Sequence, residues 1–212
     1  MERTDNYILQ MQAAQRRFLT YDQDKIITKF CLPYDAKYLY PTMLHRRYRL
    51  DRHTGALAVE TENGWQDANR FNPVMTLLDM LCDSADNRYL TGRWKAMQDF
   101  GLMFHRNLLE DRRDPVAEEI DRHPQIFRAA CEALGGTPIP GGDIAYAIGL
   151  FDNLAIGLRF WHGDGEFAPR LRYYWDENAL RYIRYETMYY AVSLLQTQLR
   201  EQSLLLGQGV LK

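Results

Sequence analysis

The chain has 212 residues, of which 46% are hydrophobic, and its formal net charge is −2. This length is sufficient for one substantial core. No run of about 18 apolar residues is present, so the sequence contains no candidate membrane-spanning helix. The small negative charge gives no general attraction to nucleic acid or to an anionic membrane. The first residues lack the apolar run of a signal peptide, and we therefore expect a soluble, cytoplasmic protein.

The three cysteines are Cys31, Cys82 and Cys131, and none belongs to a C-x-x-C pair. An odd and widely spaced set argues against a disulfide framework and against a self-contained zinc or iron–sulfur site. Cys82 and Cys131 fall within apolar helical patterns. We therefore predict that both are buried as small hydrophobic side chains.

The N-terminal part of the chain predicts short helices followed by strands. Residues 1–30 have the pattern of one or two helices, with Asp22 and Asp24 as candidate caps. From Asp35 to Glu60 the pattern changes to strands. The run Asp51–Gly55 predicts the turn of a hairpin.

Four further helices are predicted from their start and stop residues. Asn72-Pro73 supplies an N-cap and a first helical residue, and Asp114-Pro115 repeats this pattern. The second of these helices must end or kink at His123-Pro124, because proline disfavours a helical residue before it. The third ends at Gly135-Gly136, where a left-handed C-cap forms easily. The last has an apolar stripe over residues 188–199.

Two apolar runs after Gly142 predict an antiparallel hairpin with the two-residue turn Asp152-Asn153. The expected register pairs Gly149 with Ile156, Ala147 with Leu158 and Ala145 with Phe160. Those six residues would form the core face, while Tyr146 would lie opposite Arg159 on the partly polar face. A third strand over residues 171–175 completes a meander.

The loop after the second of these strands is the main candidate site, because a rigid sheet followed by a polar loop is a common setting for binding residues. It reads Trp161-His162-Gly163-Asp164-Gly165-Glu166-Phe167. His162, Asp164 and Glu166 alternate and could point the same way. Such groups can ligate a divalent metal, although the spacing is not a specific metal signature. The alternative is a glycine-rich turn whose acids cap backbone N–H groups or pair with arginines.

Other polar residues are expected near this loop. Asp176 ends the third strand and Glu186 begins the last helix, so either carboxylate could join a site. The full candidate set for ligand binding is Arg159, Trp161, His162, Asp164, Glu166, Asp176 and Glu186.

The basic run His45–Arg49 is the one concentration of positive charge. Arginine side chains suit phosphate, but such a run is more often the solvated face of a hairpin. Together with the acidity of the chain, this does not favour a nucleic-acid partner. No phosphate-loop, dinucleotide-binding or hydrolase-elbow motif is present. The tryptophans Trp65 and Trp94 and the Tyr173-Tyr174 pair are predicted to be core or sheet-surface aromatics.

Five blocks of the sequence together resemble a known family. They are Leu90–Trp94, Ala133–Gly136, Gly142-Asp143, Trp161–Phe167 and Trp175-Asp176. In this order they resemble a bacterial and archaeal family catalogued as domain of unknown function 3786, over roughly residues 30–200. Some members of that family carry an additional cysteine-rich iron–sulfur segment, which this chain lacks. The resemblance implies a fold-sized domain and a site, but no activity.

The sequence therefore predicts a single α+β domain, in which an antiparallel meander and an N-terminal hairpin pack against several helices. We expect a helical segment over 1–30, the main domain over 31–200 and a frayed tail over 201–212. The leading functional hypothesis is a non-catalytic binding module for a small molecule or protein, which uses the acidic loop and the adjoining aromatic and arginine surface. The alternative is a divalent-metal-dependent enzyme that uses Asp164 and Glu166. The sequence does not decide between them.

Overall fold

The computed structural model describes residues 6–100 and 114–207. These residues fall into two compact units. The first lies within Met1–Tyr89 and Leu180–Leu194, and the second within Leu90–Ala179 and Leu195–Lys212.

The first unit combines helices with an antiparallel sheet. Its elements are α1 (Asn6–Thr20), α2 (Gln23–Phe30), β1 (Tyr38–Leu39), β2 (Thr42–Met43), β3 (Arg46–Asp51), β4 (Leu57–Thr61), β5 (Gly64–Asp67) and α3 (Phe71–Asp83). The strand order is β1-β3-β4-β5, with β2 also paired to β3. The hairpin predicted around Asp51–Gly55 is confirmed, because β3 and β4 pair antiparallel on either side of this turn. Within the turn, the Asp51 carboxylate accepts hydrogen bonds from the N–H groups of His53 and Thr54.

The start of α3 differs from the prediction. Its N-cap residue is Arg70, which makes no side-chain capping bond, and Asn72 already lies within the first turn. The predicted N-cap at Asn72 is therefore wrong. The ring of Phe71 packs edge-on against Tyr7 and Tyr190, each at 4.8 Å between centroids. The helix thus begins with aromatic packing of its first residue, Phe71, and without a polar side-chain cap.

The second unit is a five-stranded antiparallel sheet with helices. Its elements are β6 (Trp94–Ala96), α4 (Pro115–Arg122), α5 (Pro124–Ala133), β7 (Thr137–Pro138), β8 (Ile144–Phe151), β9 (Leu154–Trp161) and β10 (Arg170–Asp176). The strand order is β6-β10-β9-β8-β7. The long helix α6 (Tyr185–Gly207) belongs to the first unit up to Leu194 and to the second unit from Leu195.

The helix boundaries of the second unit confirm the sequence signals. Asp114 caps α4 by accepting hydrogen bonds from the N–H groups of Val116 and Ala117, and Pro115 is the first helical residue. His123 separates α4 from α5, as its position before a proline requires. After α5, Gly135 adopts a left-handed φ of 67°.

The β8–β9 hairpin has the predicted turn but not the predicted register. Asp152 and Asn153 both have positive φ, and Phe151 pairs with Leu154. Between Gly149 and Phe151 the pairing shifts by one residue, so that Ala147 lies opposite Gly157 and Tyr146 lies opposite Leu158. An extra residue in one strand is a β-bulge, and it exchanges the two faces of that strand beyond it.

The bulge corrects the predicted core face of β8. The residues Ile144, Tyr146, Ile148 and Leu150 are buried with Ile156, Leu158 and Phe160. The predicted core positions Ala145 and Ala147 are half-buried, and Gly149 is exposed on the opposite face. Arg159 therefore lies opposite Ala145, and Tyr146 is a core residue.

The α+β class, the meander and the N-terminal hairpin are confirmed. The division into segments 1–30, 31–200 and 201–212 stays a prediction. Within the described residues, no helix combines the length and apolar character needed to cross a membrane.

Candidate functional site

Strand alternation places a set of cations and rings on the outer face of the second sheet. Leu158 and Phe160 of β9 point into the core and are fully buried. The alternate residues of β9 and β10 lie on the other face, where Gly157 and Asp176 are buried and the rest are half-buried or exposed. We call this set the arginine face, and its members are Arg159, Trp161, Arg170, Arg172 and Tyr174.

The centre of the arginine face is a cross-strand pair of like charges. Arg159 lies directly opposite Arg172, and Trp161 lies opposite Arg170. Like charges at directly opposed positions destabilise a sheet unless something compensates for them. Within the described residues, no carboxylate lies within 4.0 Å of the guanidinium groups of Arg159, Arg170 and Arg172.

The Arg159 side chain is held in a fixed position. Its guanidinium carbon lies 4.2 Å from the ring centroid of Tyr174, which is a cation–π contact. On another side it packs against Gly141, where a Cβ atom would lie only 3.0 Å from Arg159 Nε. This Nε is buried and has no hydrogen-bond partner among the described residues. The guanidinium is thus oriented by packing rather than by an ion pair.

A cleft of about 410 Å³ adjoins the arginine face. Arg172 and Tyr174 form part of its wall, and Trp94, Gln98 and Asp99 complete much of the lining. A cavity of this size lies within the range of about 300–1,000 Å³ that is usual for small-molecule sites.

The acidic loop after Trp161 is a hydrogen-bonded turn. One Asp164 carboxylate oxygen accepts hydrogen bonds from the N–H groups of Glu166 (3.0 Å) and Phe167 (2.8 Å). These bonds, the Phe167 bond first, lower the pKa of Asp164 because they stabilise the charged form. Glu166 is exposed. Such capping of backbone N–H groups is the role that Asp164 would have in the alternative prediction, in which the loop is a glycine-rich turn.

The His162 side chain is hydrogen-bonded to α4 and not to the acidic residues of the loop. Its Nδ1 donates to Asp121 Oδ1 at 2.7 Å, and its backbone N–H donates to Asp143 Oδ2 at 2.7 Å. The imidazole also packs edge-on against Phe160, 5.0 Å between centroids. His162 therefore lies on the Phe160 side of the strand and not with Arg159 and Trp161. Sequence reasoning missed Asp121, because no spacing links it to a residue 41 positions away.

Asp176 lies at the other end of β10, where its carboxylate is hydrogen-bonded to the backbone. Its carboxylate accepts hydrogen bonds from the backbone N–H groups of Thr91 (2.9 Å), Gly92 (2.7 Å) and Asn178 (2.9 Å). It lies six positions from Arg170, which is at the loop end of the strand, and this corresponds to about 20 Å at roughly 3.3 Å per residue. The structure therefore does not bring Asp176 to the acidic loop. Glu186 lies in the first turn of α6, within the first unit.

The described residues contain no group of three or more His, Cys, Asp or Glu side chains placed to hold a metal ion. Metal binding through Asp164 and Glu166 stays a prediction, as does ligand binding by Asp164, Glu166, Asp176 and Glu186.

A family model with the description Domain of unknown function (DUF3786) matches residues 22–198. The chain belongs to this family. The match confirms the resemblance expected over roughly residues 30–200. No curated protein and no solved structure matches the chain.

Two of the blocks that carry the likeness to DUF3786 meet at Asp176. The block Leu90–Trp94 supplies Thr91 and Gly92, whose N–H groups donate to the Asp176 carboxylate of the block Trp175-Asp176. Next to this contact, Trp94 pairs with Asp176 across β6 and β10. In this chain, the contact therefore fixes the strand that bears Trp94 at the edge of the cleft.

Proposed function

We propose that this DUF3786 chain is a binding module for a small anionic molecule, which it holds on the arginine face of its second sheet. The observation that carries the proposal is the directly opposed pair Arg159 and Arg172, for which the described residues provide no carboxylate partner. An anion placed between the two guanidinium groups would remove their repulsion, and this gain would favour the bound state.

The chemistry of arginine supports an oxyanion as the ligand group. A guanidinium presents its N–H donors as a planar fork that matches a carboxylate or a phosphate. Packing against Tyr174 and Gly141 already orients Arg159, so less side-chain entropy is lost on binding. The exposed Arg170, opposite Trp161, extends the positive surface toward the acidic loop.

The test is a titration of the purified chain with inorganic phosphate and with acetate, followed by calorimetry or by NMR chemical shifts. We expect saturable binding that weakens with added salt, because the attraction is electrostatic. The double variant Arg159→Gln/Arg172→Gln should bind at least about tenfold more weakly, since two charge-assisted hydrogen-bonding groups are lost.

The first sheet offers a matched control. Arg47 and Arg49 of β3 lie over the rings of Tyr40 (4.9 Å) and Tyr38 (4.9 Å), so they also belong to an arginine and aromatic surface. The double variant Arg47→Gln/Arg49→Gln loses the same formal charge and should bind anions as the wild type does. Absence of binding in the wild type, or equal loss in both double variants, would contradict the proposal.

A further inference from the structure

The position of Trp94 at the cleft depends on a glycine in another strand of the same sheet. The six-membered ring of Trp94 lies against Gly157 of β9, where an added Cβ would meet Cε3 and Cζ3 at 3.0 Å. A larger residue at position 157 would have to displace the indole. The same point lies 3.1 Å from Tyr174 Cβ. Gly157 therefore lets an aromatic wall form directly beside the arginine face.

The cleft places a cation beside this aromatic wall. Arg172 and Tyr174 are two positions apart on β10 and share one face, and both line the cleft with Trp94. Arg159 covers part of the Tyr174 ring, whereas Trp94 is half-buried. A molecule that binds Arg172 in this cleft therefore also meets the Trp94 side chain.

The charges of the lining favour an anion. Among the described residues, the charged members of its lining are Lys95, Arg172 and Asp99, which is two cations to one carboxylate. The described part of the lining thus combines a net positive charge with the indole of Trp94 and the phenol of Tyr174.

We infer that the ligand is an aryl oxyanion, in which a phosphate or carboxylate is attached to a flat ring. The oxyanion binds Arg172 and Arg159, and the ring packs against Trp94. This inference rests on the proposed function, because it assumes that the arginine face binds the anionic group of the ligand. It adds that the ligand also carries a flat ring. Trp94 is then the residue that determines specificity, and Gly157 positions it.

The experiment compares the dissociation constants of phenyl phosphate with inorganic phosphate, and of benzoate with acetate. For the wild type we expect the aryl compound to bind about tenfold more tightly than its matched anion, as aromatic packing contributes in proteins. Trp94→Leu should abolish this preference while the affinity for inorganic phosphate stays unchanged. Trp94→Phe retains a ring and should keep most of the preference.

Trp65→Leu is the control, because Trp65 lies in β5 of the first sheet, near Arg47 and Arg49, and belongs neither to the arginine face nor to the cleft lining. It should leave the preference for the aryl compound unchanged. Equal binding of phenyl phosphate and inorganic phosphate to the wild type would overturn the inference and leave the proposed function standing. Binding of neither compound would overturn the proposed function itself. A preference that survives Trp94→Leu would also overturn the inference. The wild-type comparison decides the ligand class even where a variant fails to fold.

Discussion

The three cysteine side chains have different environments. Cys131 is fully buried and Cys82 nearly so, whereas Cys31 is exposed at the end of α2. Burial raises the pKa of the Cys82 thiol to about 12, because desolvation disfavours the thiolate. Burial also raises the pKa of Cys131. The predicted burial of Cys82 and Cys131 is thus confirmed.

We expect one fast-reacting thiol per chain when the native protein is treated with a disulfide reagent at pH 8. The reacting species is the thiolate, and only Cys31 is accessible. The measurement is the number of thiols modified within minutes, before and after denaturation. Cys31→Ser should remove the fast phase without altering the slow one. A second fast thiol in the wild type would contradict the structure.

The two buried thiols, Cys82 and Cys131, affect the stability of the fold at high pH. Their folded pKa values lie above the ordinary value of 9.0, so above about pH 9 the unfolded chain releases protons that the folded chain retains. The contribution of these groups to the free energy of unfolding is therefore fully present below pH 9 and decreases as the pH rises from 9 toward 12.

At the scale of elements, the bulge in β8 decides which side chains form the core of the second sheet. Ile148 lies opposite Ile156 and is fully buried, whereas Ala147 lies opposite Gly157 on the outer face. The pairing of Phe151 with Leu154, which the Asp152-Asn153 turn implies, is observed. The register shifts between Gly149 and Phe151, where the sequence has no feature that requires a bulge.

Replacement of Ile148 by alanine should lower the free energy of unfolding by about 2–5 kcal/mol, as truncation of packed core residues does. Ala147→Ser, on the opposite face, should change it by less than about 0.5 kcal/mol. Urea denaturation of the two variants and the wild type gives both values. If Ala147→Ser greatly lowered the free energy of unfolding and Ile148→Ala hardly changed it, the strands would have to pair in the register without the bulge.

At the scale of the whole chain, a buried carboxylate connects distant segments of the first unit. The side chain of Asp79 on α3 is 2% exposed, and it bonds Arg17 of α1 at 2.6 Å and Thr187 Oγ1 of α6 at 2.5 Å. These partners lie 62 and 108 positions away in the sequence. The carboxylate is satisfied only when all three helices are in place.

Arg17→Met should therefore lower the free energy of unfolding by about 3 kcal/mol, because it leaves a buried charge without its partner. The control is Arg47→Met, which breaks a half-exposed pair with Glu60 and should cost less than about 1 kcal/mol. Chemical denaturation distinguishes the two. Similar small losses in both variants would mean that Asp79 does not depend on Arg17.

The sequence by itself determined the helices, the hairpin turns and the family, because caps, prolines and alternating apolar residues act over a few neighbouring positions. It also placed Arg159 and Trp161 in the candidate set for ligand binding, which stays a prediction. Tertiary structure alone decided that Arg172 faces Arg159, that Trp94 lies on Gly157 and that His162 binds Asp121. The physical reason is that strand register and side-chain pairing depend on contacts between distant segments. A single bulge can change which face a residue occupies without changing any local preference.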